Sequence, residues 1–207
     1  MQAVIFDLGN VLIDFDHRRA AERVSGFTDL SGEEIFNLFF DSEITGLFEE
    51  GKISPEDFFL KVKKTLNLRL DFAGFVPIWN EIFFLSPKNI AAYELALSLR
   101  KDYKTLLLTN INVLHFEYIK KNFSIFEGFP RIVASFEEGV RKPDPRIYFK
   151  ALEVLGVSPQ ECFYTDDRPD LVEASRKLGI NGFTFTGIEQ LNRDLISAGV
   201  TQVNLIK

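Results

Sequence analysis

Three aspartates of this sequence stand just after short, mainly apolar runs and could share a metal ion. Asp7 follows residues 3–6, and the adjacent Asp166 and Asp167 come just after residues 161–164. Carboxylates gathered in one place repel each other unless a cation lies among them, and hard oxygen ligands of this kind suit Mg²⁺. The three acids therefore predict a magnesium site, provided that the fold brings them together.

Two further groups of polar residues stand at comparable places in the chain. Thr109 and Asn110 directly follow the apolar residues 105–108, and Lys142 lies in a basic loop between residues 131–134 and a predicted helix. Each group alone is typical of an ordinary turn or loop. Because ligands of parallel sheets bind outside the carboxyl ends of the strands, the complete set indicates one binding rim.

The apolar runs themselves predict the strands that position this rim. Continuous apolar runs are typical of strands buried on both faces of a parallel sheet. The predicted strands cover residues 3–6, 105–108, 131–134, 161–164 and, with a weaker pattern, 181–185. The predicted helices between them cover residues 87–100, 145–155 and 169–178, and each begins with a proline. This alternation predicts an α/β fold with a doubly wound, mainly parallel, Rossmann-like sheet.

Residues 16–85 interrupt this alternation. They contain no clear strand pattern, and helical patterns recur at residues 18–25, 32–40, 55–66 and 72–84. We therefore expect an all-helical cap subdomain of residues 16–85, inserted into an α/β core of residues 1–15 and 86–207. A second, independent helical domain is the alternative.

Composition excludes several classes of protein. The 207 residues carry a net charge of -6 and no long basic run, which argues against a nucleic-acid partner. No apolar stretch approaches the roughly 20 residues of a membrane span, so we expect no membrane partner. The single cysteine fits a reducing compartment, and we expect a cytoplasmic protein. The 22 phenylalanines are compatible with a monomer or a homodimer.

Four motifs, in order, carry a resemblance that spans the whole chain. They are VIFDLGNV at residues 4–11, LLLTN at 106–110, RKPDP at 141–145 and FYTDDRPD at 163–170. Together they resemble the haloacid dehalogenase superfamily, in the branch of phosphatases with a helical cap of the first type. The resemblance implies Mg²⁺-dependent hydrolysis of a small phosphorylated metabolite.

The resemblance also implies a role for each motif. Asp7 is the expected nucleophile, which forms an aspartyl-phosphate intermediate that water later hydrolyses. A carboxylate is a weak nucleophile, so the phosphoryl group must be polarised and held in line. Thr109 and Asn110 are expected to bind the phosphoryl oxygens, and Lys142 to screen the repulsion between the substrate and Asp7.

The metal ligands implied by the resemblance are Asp7, the backbone carbonyl of Gly9, and the acids of the fourth motif. Asp167 is the favoured direct ligand, and Asp166 is expected to bind directly or through water. Asp170 is either a partner of these ligands or an acid at a helix N-terminus, and both readings stay open.

Gly9 departs from the phosphatase pattern, in which many members carry a second aspartate as general acid or base. Glycine cannot supply the rate enhancement of about 10²- to 10⁴-fold that a general acid or base typically gives. Either Asp14, Asp16 or His17 replaces it, or the leaving group needs little help. An anomeric sugar phosphate has such a leaving group, and the DLGNV sequence resembles bacterial sugar-1-phosphate phosphatases.

Two other functions remain as alternatives. A 2-haloacid dehalogenase would use the same aspartate without a metal, and a partner-binding protein could keep the fold without catalysis. The pair Asp166 and Asp167 favours the phosphatase, because a metal-free site has little reason to gather so much negative charge.

A few remaining residues have less specific readings. The predicted loop 48–52 is a candidate for substrate selection, and Trp79 is expected in the cap core rather than under a sugar. Arg141 is expected at the surface or at the ligand rim. Cys162 reads as a buried strand residue, and His115 as an ordinary helix residue.

Overall fold

The computed structural model of the chain describes residues 1–39 and 42–200. Its strands are β1 (Ala3–Phe6), β2 (Asp14–Phe15), β3 (Phe83–Phe84), β4 (Lys104–Thr109), β5 (Ile132–Ala134), β6 (Cys162–Asp166) and β7 (Asn181–Thr184). Five of them form a parallel sheet in the order β5-β4-β1-β6-β7, and β2 pairs with β3 in a separate antiparallel pair.

Helices surround this sheet and fill the interval between β2 and β3. They are α1 (His17–Ser25), α2 (Gly32–Phe39), α3 (Glu43–Glu49), α4 (Pro55–Leu66), α5 (Phe72–Asn80), α6 (Pro87–Leu99), α7 (Val113–Asn122), α8 (Ser135–Glu138), α9 (Pro145–Leu155), α10 (Pro169–Lys177) and α11 (Ile188–Ser197). Within the described residues, no helix has the length and apolar character that crossing a bilayer requires.

The strand order places the beginning of the chain at the centre of the sheet. From β1 the chain moves outward through β4 and β5, then returns to the other side of β1 for β6 and β7. This reversal makes a doubly wound sheet with a crevice at the carboxyl ends of β1 and its neighbours. The predicted doubly wound α/β fold is confirmed, and all five predicted strands are present within one or two residues of their predicted ends.

The strands read as continuous apolar runs because helices cover both faces of the sheet. Val4 and Phe6 pack into one cluster with side chains of α6, α7 and α11. Ala3 and Ile5 point the other way, into a cluster that α9 supplies with Ile147 and other residues. Alternate residues of β1 therefore enter two different cores, and all four are fully buried.

The helices between β2 and β3 have a core of their own. Phe48, Phe58, Phe75 and Trp79 pack around one another there, with ring centroids 4.4 Å apart for Phe48 and Phe58 and 4.9 Å for Phe58 and Trp79. Trp79 thus lies in this core, as expected. The division into a core of residues 1–15 and 86–207 and a cap of residues 16–85 stays a prediction.

Three predictions for this interval were wrong in detail. Phe83–Phe84 is a strand, and the helix predicted over residues 72–84 ends at Asn80. A strand of two residues is too short to show a period, so its apolar residues resemble a continuing helix. Helix α3 was missed because its seven residues make only about two turns, too few for a clear helical pattern, and the predicted loop 48–52 begins inside it. Residue 40, the predicted end of the second helix, lies outside the described residues.

His115 joins the helical insertion to the sheet domain. Its Nε2 lies 3.1 Å from the backbone oxygen of Trp79, and its Nδ1 lies 3.0 Å from the side-chain nitrogen of Asn112. A neutral ring satisfies both contacts, with Nε2–H donating and Nδ1 accepting. Burial lowers the pKa of His115 to about 3, and the neighbouring His17 contributes to this shift.

We expect this buried histidine to make the protein acid-sensitive. The unfolded state protonates the ring below its ordinary pKa of 6.5, whereas the folded state resists protonation down to about 3. The contribution of the neutral His115 ring to the unfolding free energy is fully present above the unfolded pKa. It is lost as the pH falls below that value, by about 1.4 kcal/mol per pH unit. Urea unfolding at several pH values between about 6.5 and 3 gives the unfolding free energy as a function of pH, and this plot should be shallower for His115→Gln than for the wild type by that amount. Equal pH dependence in the two proteins would contradict a buried, neutral His115.

Candidate active site

The carboxyl ends of adjacent strands bring two of the predicted acids together. Asp7 directly follows β1, and Asp166 is the last residue of β6, the strand that pairs with β1. The backbone N–H of Asp7 donates to the oxygen of Thr165 at 2.9 Å, which continues the ladder to the rim. Both carboxylates are buried.

Lys142 lies between these two carboxylates. Its Nζ donates to Asp7 Oδ1 at 2.7 Å, to Asp166 Oδ2 at 2.6 Å and to the backbone oxygen of Leu108 at 3.2 Å. Burial alone would lower the pKa of Lys142, but the carboxylates of Asp166 and Asp7 outweigh it and raise the pKa above its usual range. The ammonium group is therefore fixed in its charged form.

The side chain of Asn110 fixes the loop that carries Lys142 through two hydrogen bonds to the backbone. Its amide nitrogen donates to the backbone oxygen of Lys142 at 2.9 Å, and its amide oxygen accepts the backbone N–H of Lys142 at 2.8 Å. The sequence predicts phosphate binding for Asn110, whereas its side chain is engaged in this paired contact. Thr109, also predicted to bind phosphate, is buried and lines a cavity together with Asp7, Asn110 and Lys142.

Asp167 completes an acidic cluster with Asp7 and Asp166. One carboxylate oxygen from each lies within 4.8 Å of the others. Three carboxylates and the single ammonium of Lys142 leave a local charge of about -2 when all are ionised, which a divalent cation would neutralise. Burial raises the pKa of Asp7, and the charges of Asp166 and Asp167 raise it further against the opposing effect of Lys142. The donor set fits Mg²⁺.

The three carboxylates differ in how many contacts they already make. Asp166 accepts hydrogen bonds from Lys142, from the Tyr164 hydroxyl and from the backbone N–H of Arg168. Asp167 accepts one from the amide of Asn10 at 2.9 Å and is partly exposed. This difference favours Asp167 and Asp7 over Asp166 as direct metal ligands, in line with the sequence-based preference.

Asn10 and Tyr164 contribute to the site but were not singled out in the sequence. Asn10 has a φ of 54°, a left-handed conformation that asparagine tolerates better than most residues. An asparagine next to Gly9 is a weak signal of that turn. Tyr164 lies inside an apolar strand, where nothing in the sequence distinguishes it from a core residue.

The place of the missing aspartate at position 9 is filled by a phenylalanine ring. A Cβ atom built on Gly9 would lie 2.7 Å from Cε1 of Phe15. Phe15 is itself packed against the rings of His17 and Phe83, with centroids 4.9 Å and 6.2 Å away. The glycine is therefore tied to the packing of β2, and its carbonyl remains the only functional group this position offers besides the N–H.

The three candidate replacements for that aspartate have different surroundings. Asp14 contacts Lys88 at 3.0 Å and Asn89 at 3.2 Å, and Asp16 caps α1 by accepting from the N–H of Arg18. His17 lines the cavity at Asp7, and burial lowers its pKa to about 4. Of these candidates the geometry favours His17, in its neutral form.

The other sequence-based expectations have clear outcomes. Asp170 lies in the first turn of α10 and pairs with Arg168 at 2.7 Å, which fits the reading as a helix N-terminal acid. Cys162 is buried in β6. Arg141 lines the cavity, and its guanidinium lies 3.5 Å from Glu49 at the end of α3.

A single cavity of about 440 Å³ connects these residues with the helical insertion. The acids, Lys142 and Thr109 form one end, and side chains of α1, α2, α4 and α5 form the other. The insertion also touches the sheet domain beside the cavity, where Ser135 donates to the backbone oxygen of Glu49 at 2.6 Å. Gly51, with a φ of 63°, lies so close to the Phe136 oxygen that no Cβ would fit.

Comparisons with known proteins agree with this architecture. A family model described as haloacid dehalogenase-like hydrolase matches residues 1–179. The chain is 30% identical to phosphatase MT3486 of Mycobacterium tuberculosis over 96% of this chain and 95% of that one. It is 25% identical to the D-ribitol-5-phosphate phosphatase of Bacteroides thetaiotaomicron, over 87% and 89%.

A solved structure is similar over nearly the same length. It is a family enzyme of Bacteroides thetaiotaomicron, bt-2542, in complex with magnesium and inorganic phosphate. The match has a TM-score of 0.78 and 29% identity, and it covers 90% of this chain and 95% of that chain.

The contact between position 9 and Phe15 predicts a specific coupling. Gly9→Ala should cost about 1 to 3 kcal/mol, because the added methyl group overpacks the ring. In a Phe15→Leu background the cost should fall, since the ring is gone. Gly26→Ala is the control, because its Cβ would meet nothing closer than 3.6 Å. Urea unfolding of the four combinations measures the coupling, and equal costs in both backgrounds would rule it out.

The position of Lys142 predicts a large cost when its charge is removed. Lys142→Met leaves the buried carboxylates of Asp7 and Asp166 without their cation, so in EDTA we expect a loss of about 3 to 5 kcal/mol in unfolding free energy. Lys150→Met removes an ammonium that lies 3.6 Å from Glu153 on an exposed helix face, and should cost at most about 1 kcal/mol. Similar losses for the two variants would contradict the proposed role of the buried ammonium.

Proposed function

The chain belongs to the haloacid dehalogenase-like hydrolases and is a phosphatase of that family with magnesium as its cofactor, and we propose that it hydrolyses small phosphomonoesters through an aspartyl-phosphate on Asp7. One observation carries this proposal. The Lys142 ammonium lies 2.7 Å from Asp7 and 2.6 Å from Asp166, inside an acidic cluster at the carboxyl end of the central strands.

The proposed ligand set follows from the contacts of each carboxylate. Asp7, Asp167 and the Gly9 carbonyl would hold the magnesium ion, and Asp166 would contribute directly or through water while it orients Lys142. When bound, the ion supplies positive charge that polarises the phosphoryl group and orients it toward the nucleophile.

The first half of the reaction is a transfer to Asp7. A carboxylate oxygen of Asp7 attacks phosphorus, the bond between phosphorus and the ester oxygen breaks, and the leaving alkoxide takes a proton from solvent water to depart as the alcohol. Lys142 and the Thr109 hydroxyl stabilise the negative charge on the phosphoryl oxygens.

The second half is hydrolysis of the acyl phosphate. Water attacks phosphorus, the bond to the Asp7 oxygen breaks, and inorganic phosphate leaves with regeneration of the carboxylate. A proton must be removed from the water. His17 lines the cavity and is neutral at pH 7, because burial lowers its pKa to about 4. It is our candidate acceptor, although a base of such low pKa is a modest one.

Gly9 limits which esters react quickly. With no carboxyl group at this position, no general acid there protonates the departing alcohol, so esters with good leaving groups should react faster than simple alkyl esters. The sequence favours an anomeric sugar phosphate for this reason. D-ribitol-5-phosphate, the substrate named for one relative, is a phosphorylated sugar alcohol but an ester of a primary alcohol, so it lacks such a leaving group. The sugar preference stays a prediction.

The experiment is a metal- and nucleophile-dependence assay. The wild type with Mg²⁺ should release phosphate from p-nitrophenyl phosphate, whereas Asp7→Asn or EDTA should lower kcat/KM at least about a thousandfold. Acid quenching during turnover, followed by peptide mass spectrometry, should find the phosphoryl group on Asp7. A phosphoryl group on another residue would sink the proposed intermediate.

Asp170→Asn is the matched control. Asp170 lies in the same motif as the metal-binding acids, but it is exposed and paired with Arg168. Its replacement should change kcat/KM by less than about threefold. Chloride release from 2-chloropropionate in EDTA would instead support a dehalogenase, and inactivity in both assays would support a non-catalytic binding protein.

A further inference from the structure

The cavity at Asp7 has two ends of opposite chemical character. Beyond the charged end, eleven of the residues that line it belong to α1, α2, α4 and α5, and ten of them, all except His17, are apolar. They include Ala20, Val24, Ile35, Phe39, Leu66 and Phe75. We call the part of the cavity that these ten side chains line the apolar chamber.

The apolar chamber is poorly suited to a polyhydroxylated group. Each hydroxyl buried there would lose its hydrogen bonds to water, and the ten side chains offer only the unpartnered indole N–H of Trp79 in exchange. The polar side chains that the insertion adds to the cavity, His17, Thr45 and Glu49, lie outside this group of ten. The Thr45 hydroxyl already donates to the backbone oxygen of Phe39 at 2.7 Å.

The apolar chamber is continuous with the catalytic end, so a substrate phosphorylated at one end would extend into it. A phosphoryl group at Asp7 occupies only a small part of about 440 Å³, a volume in the range of pockets that bury drug-sized ligands. The remaining volume must take the alcohol part of the ester. Small residues on α1, such as Ala20 and Ala21, leave the space that larger side chains would fill.

We propose that the preferred substrates are phosphomonoesters of apolar alcohols, whose hydrocarbon part lies in the apolar chamber while the phosphoryl group contacts Lys142 and Thr109. This proposal rests on the proposed phosphatase function and differs from it in the substrate class. The hydrocarbon part gains affinity from burial of its surface, by about fourfold per methylene group.

Binding can be measured without catalysis. Trp79 is the single tryptophan of the chain and lines the cavity, so its fluorescence reports occupancy of the apolar chamber. With Mg²⁺ present, octylphosphonate should bind at least about a hundredfold more tightly than methylphosphonate, neither of which has a phosphate ester to hydrolyse. Equal affinities would overturn the proposal.

Turnover provides a second measurement. For n-alkyl phosphates from ethyl to octyl, the leaving alkoxide is nearly constant, so kcat/KM should rise with chain length through binding alone. Octyl phosphate should also exceed glucose 6-phosphate, whose leaving group is likewise a primary alkoxide. A flat series, or a higher kcat/KM for glucose 6-phosphate, would overturn the substrate class while leaving the phosphatase function intact.

A variant that narrows the apolar chamber locates the effect. Ala20→Leu should lower the ratio of octyl to ethyl kcat/KM at least about tenfold. Ala91→Leu adds the same atoms on α6, which contributes none of the described cavity residues, and should leave the ratio unchanged. An unchanged ratio in Ala20→Leu would overturn the proposal, and if that variant fails to fold, the wild-type phosphonate comparison decides.

The two proposals fail in different ways. If no ester is hydrolysed but octylphosphonate still binds more tightly than methylphosphonate, the phosphatase function is wrong, whereas the apolar chamber binds hydrocarbon chains as proposed. If esters are hydrolysed at rates independent of chain length and the two phosphonates bind equally, the phosphatase function stands and the proposed substrate class is wrong.

Discussion

The buried ammonium of Lys142 is the contact on which the acidic rim depends. Asp7 and Asp166 lie on neighbouring strands, and their charges would repel each other without the cation that contacts both. The loop that carries Lys142 is in turn fixed through its backbone by Asn110, at the end of the strand on the other side of β1. Three strand ends therefore hold one charged group, which is why the site lies where the strand order reverses.

Two parts of the chain supply the charged end and the apolar end of the cavity. The sheet domain supplies the acids and Lys142, and the helical insertion supplies most of the apolar wall opposite them. His115 and Ser135 connect the two parts through backbone oxygens of Trp79 and Glu49, so the connection does not depend on which side chains face the cavity. Side chains of the insertion can therefore vary without disturbing the charged end.

Much of the fold and the acidic rim could be predicted from the sequence, because apolar runs and the polar residues after them are local signals. Asp7, Lys142 and Asp167 were found this way. The pairing of Asn110 with the Lys142 backbone was not, since it depends on two loops meeting in space. Likewise, nothing local shows that Phe15 occupies the space beside Gly9, or that the short α3 reaches the sheet domain. Such contacts join residues far apart in the chain.

The central position of β1 has a consequence for how the chain acquires its structure. Of the described strands, β1 is synthesised before the others, yet it lies between β4 and β6 and pairs with both. Lys142 follows Asp7 by 135 positions, so the nucleophile is synthesised long before its counter-ion. Pairings of such large sequence separation form slowly. Until β6 has emerged, β1 keeps an unpaired edge, and the nascent chain depends on shielding of that edge from other chains.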